Sequence, residues 1–175
     1  MINKMDSGLV TSARKALNAA GFFNPIKAQV VNSDGVITKT TFTQNGIVDE
    51  GMHALLDIMF RNQTQSAIWY MSLIDTGATL ADADTMSSNS WDENLNFTAA
   101  ARQNWTTALS AAATRSISNS TTIDFAFTTT QTIHGIFIND ALTGTAGTLW
   151  ATAPFSTEVT VNNGDTLKVT YTVSG

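Results

Sequence analysis

Apolar and polar residues alternate strictly along the last part of the chain, which indicates β-strands. Residues 149–154 and 158–162 have strand character, and Asn163-Gly164-Asp165 has the composition of a tight turn. Asn-Gly pairs accept a positive φ, so the chain can reverse there at little steric cost. Alternation with a period of two places every second side chain on one face of a half-buried antiparallel strand. The final predicted strand, residues 167–173, has an apolar face formed by Leu167, Val169, Tyr171 and Val173.

Strand patterns also recur earlier in the chain. Residues 26–32 and 36–43 flank the turn sequence Ser33-Asp34-Gly35 and predict a first hairpin. A nearly continuous apolar run over residues 68–74 is typical of a central strand. Further strands are predicted over residues 116–127, with a break at Asn119-Ser120, and over residues 132–139. About eight or nine short strands with glycine- or asparagine-marked turns predict a mainly β, single-domain fold, an antiparallel β-sandwich or jelly-roll-like barrel.

One segment of this body has helical periodicity. Asp49 is the predicted N-cap of a helix over residues 49–61, with Glu50 in its first turn. Apolar residues spaced three and four apart form a single stripe, which is expected to face the core. That stripe consists of Met52, Leu55, Leu56 and Met59.

Residues 1–24 differ from the body, residues 25–175, and are predicted to form an N-terminal arm. Residues 11–21 contain small apolar side chains at helical spacing, and Gly21 is well placed to end a short helix. Such a short, weakly amphipathic helix needs a surface to pack on. The segment is therefore interpreted as an arm that docks on a neighbouring subunit, with Phe22 and Phe23 as its anchors, or as a frayed terminus.

Residues 75–110 are the least regular part of the sequence. They are rich in Gly, Asp, Ser and Asn, which favour loops. A structureless loop of this length is uncommon inside a domain and is often functional. The segment is predicted to be a partly ordered excursion with one short strand near residues 96–99.

Composition restricts the partners of the protein. The 175-residue chain has a net charge of −5, only 13% charged residues and 28 threonines. An acidic surface with scattered Lys and Arg disfavours nucleic acid and anionic membranes as partners. Low charge with abundant threonine indicates either wide contacts with other proteins or a merely polar exterior. No cysteine is present, and no apolar run reaches the length of a membrane span or resembles a signal peptide, so synthesis in a cytoplasm is expected.

Acidic side chains are the first candidates for a chemical site. Asp82 and Asp84, followed by Asp92 and Glu93, form an acidic cluster that could supply oxygen ligands to Ca²⁺. The cluster lacks the glycine and the final glutamate of an EF-hand loop, so a solvated loop is the preferred interpretation. A glycosidase pair requires carboxylates held at a fixed separation on rigid elements, and this segment predicts none.

The two histidines are the other candidates for catalysis. His53 has Asp49 and Asp57 one helical turn to either side, and His134 lies within a predicted strand. Neither has a metal-ligand partner at a recognisable spacing. The sequence also lacks a Gly-x-Ser-x-Gly elbow and a glycine-rich phosphate loop. We therefore expect a protein without catalytic residues, metal or cofactor.

Aromatic side chains are the candidates for an interaction surface. Trp69 and Tyr70 are adjacent in a predicted strand, so one is expected to face the core and the other the opposite side. Trp91 and Trp105 lie in the irregular segment, where they could pin the loop, stack on sugars or anchor a protein contact. The predicted interface residues are Phe22, Phe23, Trp69, Tyr70, Trp91 and Trp105.

Several segments carry a resemblance to a known class of proteins. They are Asn45 to Gly51 followed by Ala54 to Phe60, Trp69 to Asp75, Gly135 to Ile138, and Gly147 to Trp150 with Asn163 to Tyr171. Together they resemble virion proteins of tailed, podovirus-like bacteriophages, over about residues 40–173. The matching patterns are structural, so the resemblance implies a component of the phage particle and assigns no functional residue.

The leading hypothesis from the sequence is a capsid decoration (cement) protein. It would be a homo-oligomer, a dimer or trimer, that stabilises the virion shell by bridging copies of the major capsid protein. The first alternative is a tail or neck adaptor or a fibre component. A second alternative is a module that binds host glycans through Trp91 and Trp105.

Overall fold

The computed structural model describes residues 25–108 and 116–174, so the predicted arm with Phe22 and Phe23 lies outside the described residues. The described part is mainly β, with two antiparallel sheets and one helix, which confirms the predicted sandwich. In chain order the elements are β1 (Pro25–Val31), β2 (Ile37–Gln44), β3 (Gly46–Ile47), α1 (Asp49–Arg61), β4 (Tyr70–Asp75), β5 (Glu93–Asn94), β6 (Gln103–Asn104), β7 (Ser116–Ser118), β8 (Ile123–Ala126), β9 (Gln131–Asn139), β10 (Leu149–Val161) and β11 (Thr166–Ser174).

Sheet I is built around the strand that the C-terminal alternation predicts. Strand β11 lies beside β1, and β2 follows β1 at the edge. The other side of β11 pairs first with β8 and then with β7, so the break at Asn119-Ser120 separates two strands as expected. The register places Ile26 opposite Tyr171 and Val30 opposite Leu167, so the apolar faces of both strands point the same way.

Sheet II has the order β3, β10, β9, β4, β5, with β6 also paired to β4. The sequence predicts two strands in residues 149–162, whereas the structure has one long strand, β10, with a register shift between Pro154 and Val159. A shift of this kind bends the strand without ending it. The hydroxyl of Thr43 donates a hydrogen bond to the carbonyl of Pro154 at 2.6 Å, so β2 of sheet I lies along β10.

The main core fills the space between the two sheets. Its largest fully buried side chains come from both sheets and include Tyr171, Phe125, Ile133 and Ile136. Phe97 packs edge-on against Phe125 with ring centroids 5.0 Å apart, which closes one side of this core. Burial of so many apolar side chains is the principal stabilisation of the sandwich.

A second apolar cluster covers the outer face of sheet II. Segment 76–92 lies over this face, so β9 is buried on both sides over residues 135–139. The predicted strand near residues 96–99 is wrong, because the short strands lie at β5 and β6 instead. Phe97 and its neighbours form a bend that reaches β8 through the Thr98 N–H and the Ala126 carbonyl at 2.8 Å. The cluster consists of Val48, Ile74, Met86, Trp91, Phe137 and Leu149.

Helix α1 has the predicted bounds, and two details differ from the expectation. Val48, not Asp49, occupies the N-cap position, and no side chain caps the helix there. The apolar stripe does not face a core along its whole length, because Leu56 is 44% and Met59 63% exposed. The single buried residue of the helix is Gly51, which lies in the first turn against the backbone of Trp150 on β10.

Candidate functional site: a tryptophan groove at one end of the sandwich

A groove with a volume of about 580 Å³ opens at one end of the sandwich. It lies between the two sheets where β1 and β4 begin and β11 ends, and α1 forms one of its lips. We call it the tryptophan groove, because three tryptophans contribute to its wall: Trp69, Trp105 and Trp150. Among the described residues that line it, none carries a charged side chain.

The three tryptophans form one connected wall. Trp69 packs edge-on against Trp150, with ring centroids 6.0 Å apart and an angle of 63° between the planes. The Trp105 backbone N–H donates a hydrogen bond to the Trp69 carbonyl at 2.8 Å. This bond connects the residue just before β4 with the residue just after β6. The Trp105 ring also lies 5.1 Å from the ring of Tyr171. These contacts hold the aromatic rings in fixed positions.

Tyr171 lies behind this wall and anchors it through its hydroxyl. The hydroxyl oxygen accepts hydrogen bonds from Asn45 Nδ2 at 2.7 Å and from the Trp150 indole N–H at 3.1 Å. Burial raises the pKa of the Tyr171 phenol above its ordinary value of 10.0, and the two donated hydrogen bonds lower it by less. The phenol therefore stays neutral and fixes the orientation of Trp150.

Aliphatic and polar side chains complete the lining, the polar ones being Gln65, Ser66, Asn104, Thr106 and Thr107. Ile117 on β7 is paired with Val173 on β11, and both line the groove. Leu55 and Ile58 of α1 complete the lip. Each of these four side chains is only partly buried in the described structure. The groove is thus a continuation of the main core that its own described neighbours leave open.

One polar atom of the wall lacks a partner. The indole nitrogen of Trp105 is buried and donates no hydrogen bond to any described group. The residue as a whole is only 9% exposed. A buried donor without an acceptor costs about 1–3 kcal/mol.

The family comparison covers most of this architecture. A family model described as "Podophage GP4 fiber I protein gp80" matches residues 46–173, which span β3 to β11, including α1 and every described residue that lines the groove. The chain belongs to this family. No curated protein matches the sequence. The match establishes a structural protein of a podophage virion, in agreement with the resemblance in the sequence, and does not confirm the capsid decoration type.

In this fibre I family protein, the four predicted interface residues that the structure describes separate into three groups. Trp69 and Trp105 come together in the tryptophan groove, while Tyr70 begins β4 and is half-buried. Trp91 belongs to the cluster beneath segment 76–92, where its ring is 4.8 Å from that of Phe137. Trp91 and Trp105 are 8% and 9% exposed and lie in different clusters, so they do not share one sugar-stacking surface. The glycan hypothesis stays a prediction.

Trp150 is the groove residue that sequence reasoning missed. It directly follows Leu149, and period-two alternation alone does not show which of the two faces the main core. Its position depends on contacts that are distant in sequence, with Tyr171 and with the first turn of α1. The sequence contains one signal for the role of Trp150. It is an aromatic residue at the start of a predicted strand, and small residues follow it in that strand.

The acidic candidates have structural roles. Asp84 accepts hydrogen bonds from the Trp91 indole N–H at 3.1 Å and from the Ala81 N–H at 3.0 Å, so it holds segment 76–92 in place. Glu93 forms a bidentate ion pair with Arg102, at 2.9 and 2.8 Å. Among the described residues no group of three or more histidine, cysteine, aspartate and glutamate side chains is arranged to hold a metal ion. Within the same residues no helix is long and apolar enough to cross a membrane.

The histidines lie away from the groove. His53 is exposed on α1. His134 lies 3.3 Å from Glu158 on the neighbouring strand. A hydrogen bond from the Thr76 hydroxyl, with smaller contributions from the Gly77 N–H and His134, lowers the pKa of the Glu158 carboxyl. This surface cluster connects segment 76–92 to β10.

Proposed function

We propose that this protein is a component of a podophage fibre and that it acts through protein contacts, without catalysis. The observation that carries the proposal is the family match over residues 46–173, whose description names a fibre protein. This was the alternative in the sequence analysis, and the family description favours it over capsid cement. The tryptophan groove and the helix that forms its lip both lie within the matched region.

Exposed apolar side chains support a role in assembly. Met59 is 63% and Phe60 75% exposed near the end of α1, and Phe42 is 66% exposed on the edge strand β2. Large exposed apolar side chains that cluster on a protein surface are typical of interaction sites. Because only 13% of the residues in the chain are charged, such surfaces suit permanent contacts inside a particle.

The earlier partner predictions remain untested. Bridging of copies of the major capsid protein, as capsid cement does, stays a prediction. Association with copies of the same chain, as a dimer or trimer, likewise stays a prediction. Multi-angle light scattering of the purified full chain would measure that oligomeric state directly.

Immunogold labelling of intact phage particles tests the fibre proposal. Antibodies raised against the purified protein should place gold on the appendages of the particle and leave the faces of the shell unlabelled. An antibody against the major capsid protein, applied to the same particles, provides the positive control for shell labelling. Gold spread evenly over the shell would refute the fibre proposal and favour capsid cement.

A further inference from the structure

The tryptophan groove combines aromatic rings with uncharged hydrogen-bonding side chains. Trp69 and Trp150 line it and are only partly buried, and the amides of Gln65 and Asn104 line it as well. Both amides belong to exposed residues and form no hydrogen bond with the described part of the molecule. Each amide offers two donors and one acceptor oxygen. A ligand in the groove therefore meets apolar rings and free hydrogen-bonding groups side by side.

A second cavity adjoins the groove. Its volume is about 280 Å³, and Asn104 and Thr106 line both this cavity and the groove. Two further threonines, residues 121–122, contribute hydroxyl groups to its wall. Among the described residues that line it, the one charged side chain is Asp124, which accepts a hydrogen bond from Lys168. The two cavities together suit an extended ligand with an apolar part and a hydroxyl-bonding part.

The charges around this site restrict the ligand further. No lysine, arginine or histidine occurs among the described residues that line either cavity, and the chain has a net charge of −5. A carboxylate or phosphate ligand would find no opposite charge there, and the acidic protein would repel it. The lining therefore favours an uncharged ligand.

An extended peptide is a poorer fit, because the strand edge beside the groove is already paired. The Ala108 N–H donates a hydrogen bond to the Ser118 carbonyl of β7 at 2.8 Å, and the Ser120 N–H donates one to the Thr106 carbonyl at 2.9 Å. A peptide that binds as an added strand requires an unpaired edge. The site thus offers a ligand mainly side chains at this edge.

A sugar ring has the two properties that the lining selects. Its C–H face packs on an aromatic ring, and its hydroxyl groups donate to and accept from amides and other hydroxyls. The groove also has the size of a ligand site, for which about 300–1,000 Å³ is usual.

We propose that the tryptophan groove and the adjoining cavity form one binding site for an uncharged oligosaccharide, held by Trp69, Trp150 and the amide of Asn104. Trp91 has no part in this site, because it belongs to the cluster beneath segment 76–92. The inference goes beyond the protein contacts proposed above, and it holds whether the protein is found on a fibre or on a shell.

Tryptophan fluorescence of the purified full chain tests the proposal. Three of the four tryptophans line the groove, so an occupied groove changes their emission. The probes are linear hexasaccharides of glucose, mannose, galactose and N-acetylglucosamine, with a hexasaccharide of galacturonic acid as the charged comparison. We expect at least one neutral hexasaccharide to shift the emission and the acidic one to leave it unchanged. The matching disaccharide should bind about tenfold more weakly, because it cannot occupy both cavities at once.

Two asparagine variants form the matched pair. Asn104→Ala removes the amide that both cavities share, whereas Asn163→Ala removes an exposed asparagine at the opposite end of the sandwich, before β11 begins. Both positions are exposed, so both variants should fold, as circular dichroism will verify. We expect roughly three- to tenfold weaker binding in Asn104→Ala and unchanged binding in Asn163→Ala.

Four results would overturn the proposal. They are no response to any neutral hexasaccharide, a response to the acidic hexasaccharide alone, equal binding by the two asparagine variants, and emission that changes with protein concentration in the absence of sugar. The last result would assign the groove to a second copy of the chain. Because the titration uses purified protein, sugar binding can fail while the particle labelling succeeds, and the reverse.

Discussion

Replacing Gly51 by alanine should destabilise the protein, which is the opposite of the usual effect inside a helix. Alanine at a helical glycine ordinarily stabilises by about 0.5–1 kcal/mol. Gly51 is buried where the first turn of α1 meets β10. A Cβ atom at this position would lie 2.8 Å from the Cα of Trp150 and 2.9 Å from its carbonyl carbon, and closer still to the carbonyl oxygen. Those atoms belong to a main chain that cannot rotate away.

The size of the effect follows from that overlap. Carbon atoms pack best at about 3.5–4.0 Å, so α1 and β10 would have to separate by about 1 Å. Strand β10 is paired with β3 on one side and β9 on the other, so the helix must move. Overpacking of this kind costs about 1–3 kcal/mol, and contact with main chain places it near the upper end. After subtraction of about 1 kcal/mol for helix propensity, a net loss of about 2 kcal/mol is expected.

Urea unfolding followed by tryptophan fluorescence measures this loss. In a chain of this size about 2 kcal/mol also lowers Tm by roughly 4–8 °C. The matched control is His53→Ala, at an exposed position of the same helix, which should change the free energy of unfolding by less than about 0.5 kcal/mol. If Gly51→Ala proved as stable as the parent protein or more so, the close packing of α1 on β10 would be wrong.

Three further predictions concern buried or paired polar groups. Arg102→Met leaves the Glu93 carboxylate without its bidentate partner and should lower the free energy of unfolding, measured in urea, by about 3–5 kcal/mol. The double variant Arg102→Met with Glu93→Gln should be little less stable than Arg102→Met alone. The pKa of Glu158 lies below its ordinary value of 4.5, mainly because its carboxylate accepts the Thr76 hydrogen bond. The ionised carboxylate therefore stabilises the folded protein above pH 4.5, and this stabilisation is lost as the pH falls. Glu158→Gln should therefore flatten the decline of Tm on acidification, and an unchanged decline would contradict this assignment. Tyr171→Phe removes the acceptor of two partly buried donors and should lower the free energy of unfolding by about 1–3 kcal/mol in the same urea assay, while an unaltered midpoint would argue against those bonds.

The sequence predicts the strands well because their information is local. Alternation over residues 167–173 identifies β11 and its buried face, and the apolar run over residues 68–74 identifies β4 as a central strand. The bounds of α1 also follow from local periodicity and from Asn62, which adopts a left-handed conformation just after Arg61. None of these assignments requires knowledge of a distant residue.

The cover of sheet II and the tryptophan groove could not be predicted in this way. Segment 76–92 has the composition of a loop, yet Met86 and Trp91 are buried because they meet Phe137 about fifty residues away. The stripe of α1 predicts a helix that faces a core, but a periodic pattern does not show whether the facing surface is closed. The described part of the molecule leaves Leu56 and Met59 uncovered, so both are exposed although their spacing indicates burial.

The extent of the family match gives the N-terminal part of the chain a structural task. The match begins at residue 46, so β1 and β2 lie outside it. Strand β1 is nevertheless an interior strand of sheet I, and Ile26, Ala28 and Val30 belong to the main core. The matched region therefore does not complete its own sandwich, because β11 would lose β1, its pairing partner on one side. The described residues before the match, strands β1 and β2, therefore finish sheet I.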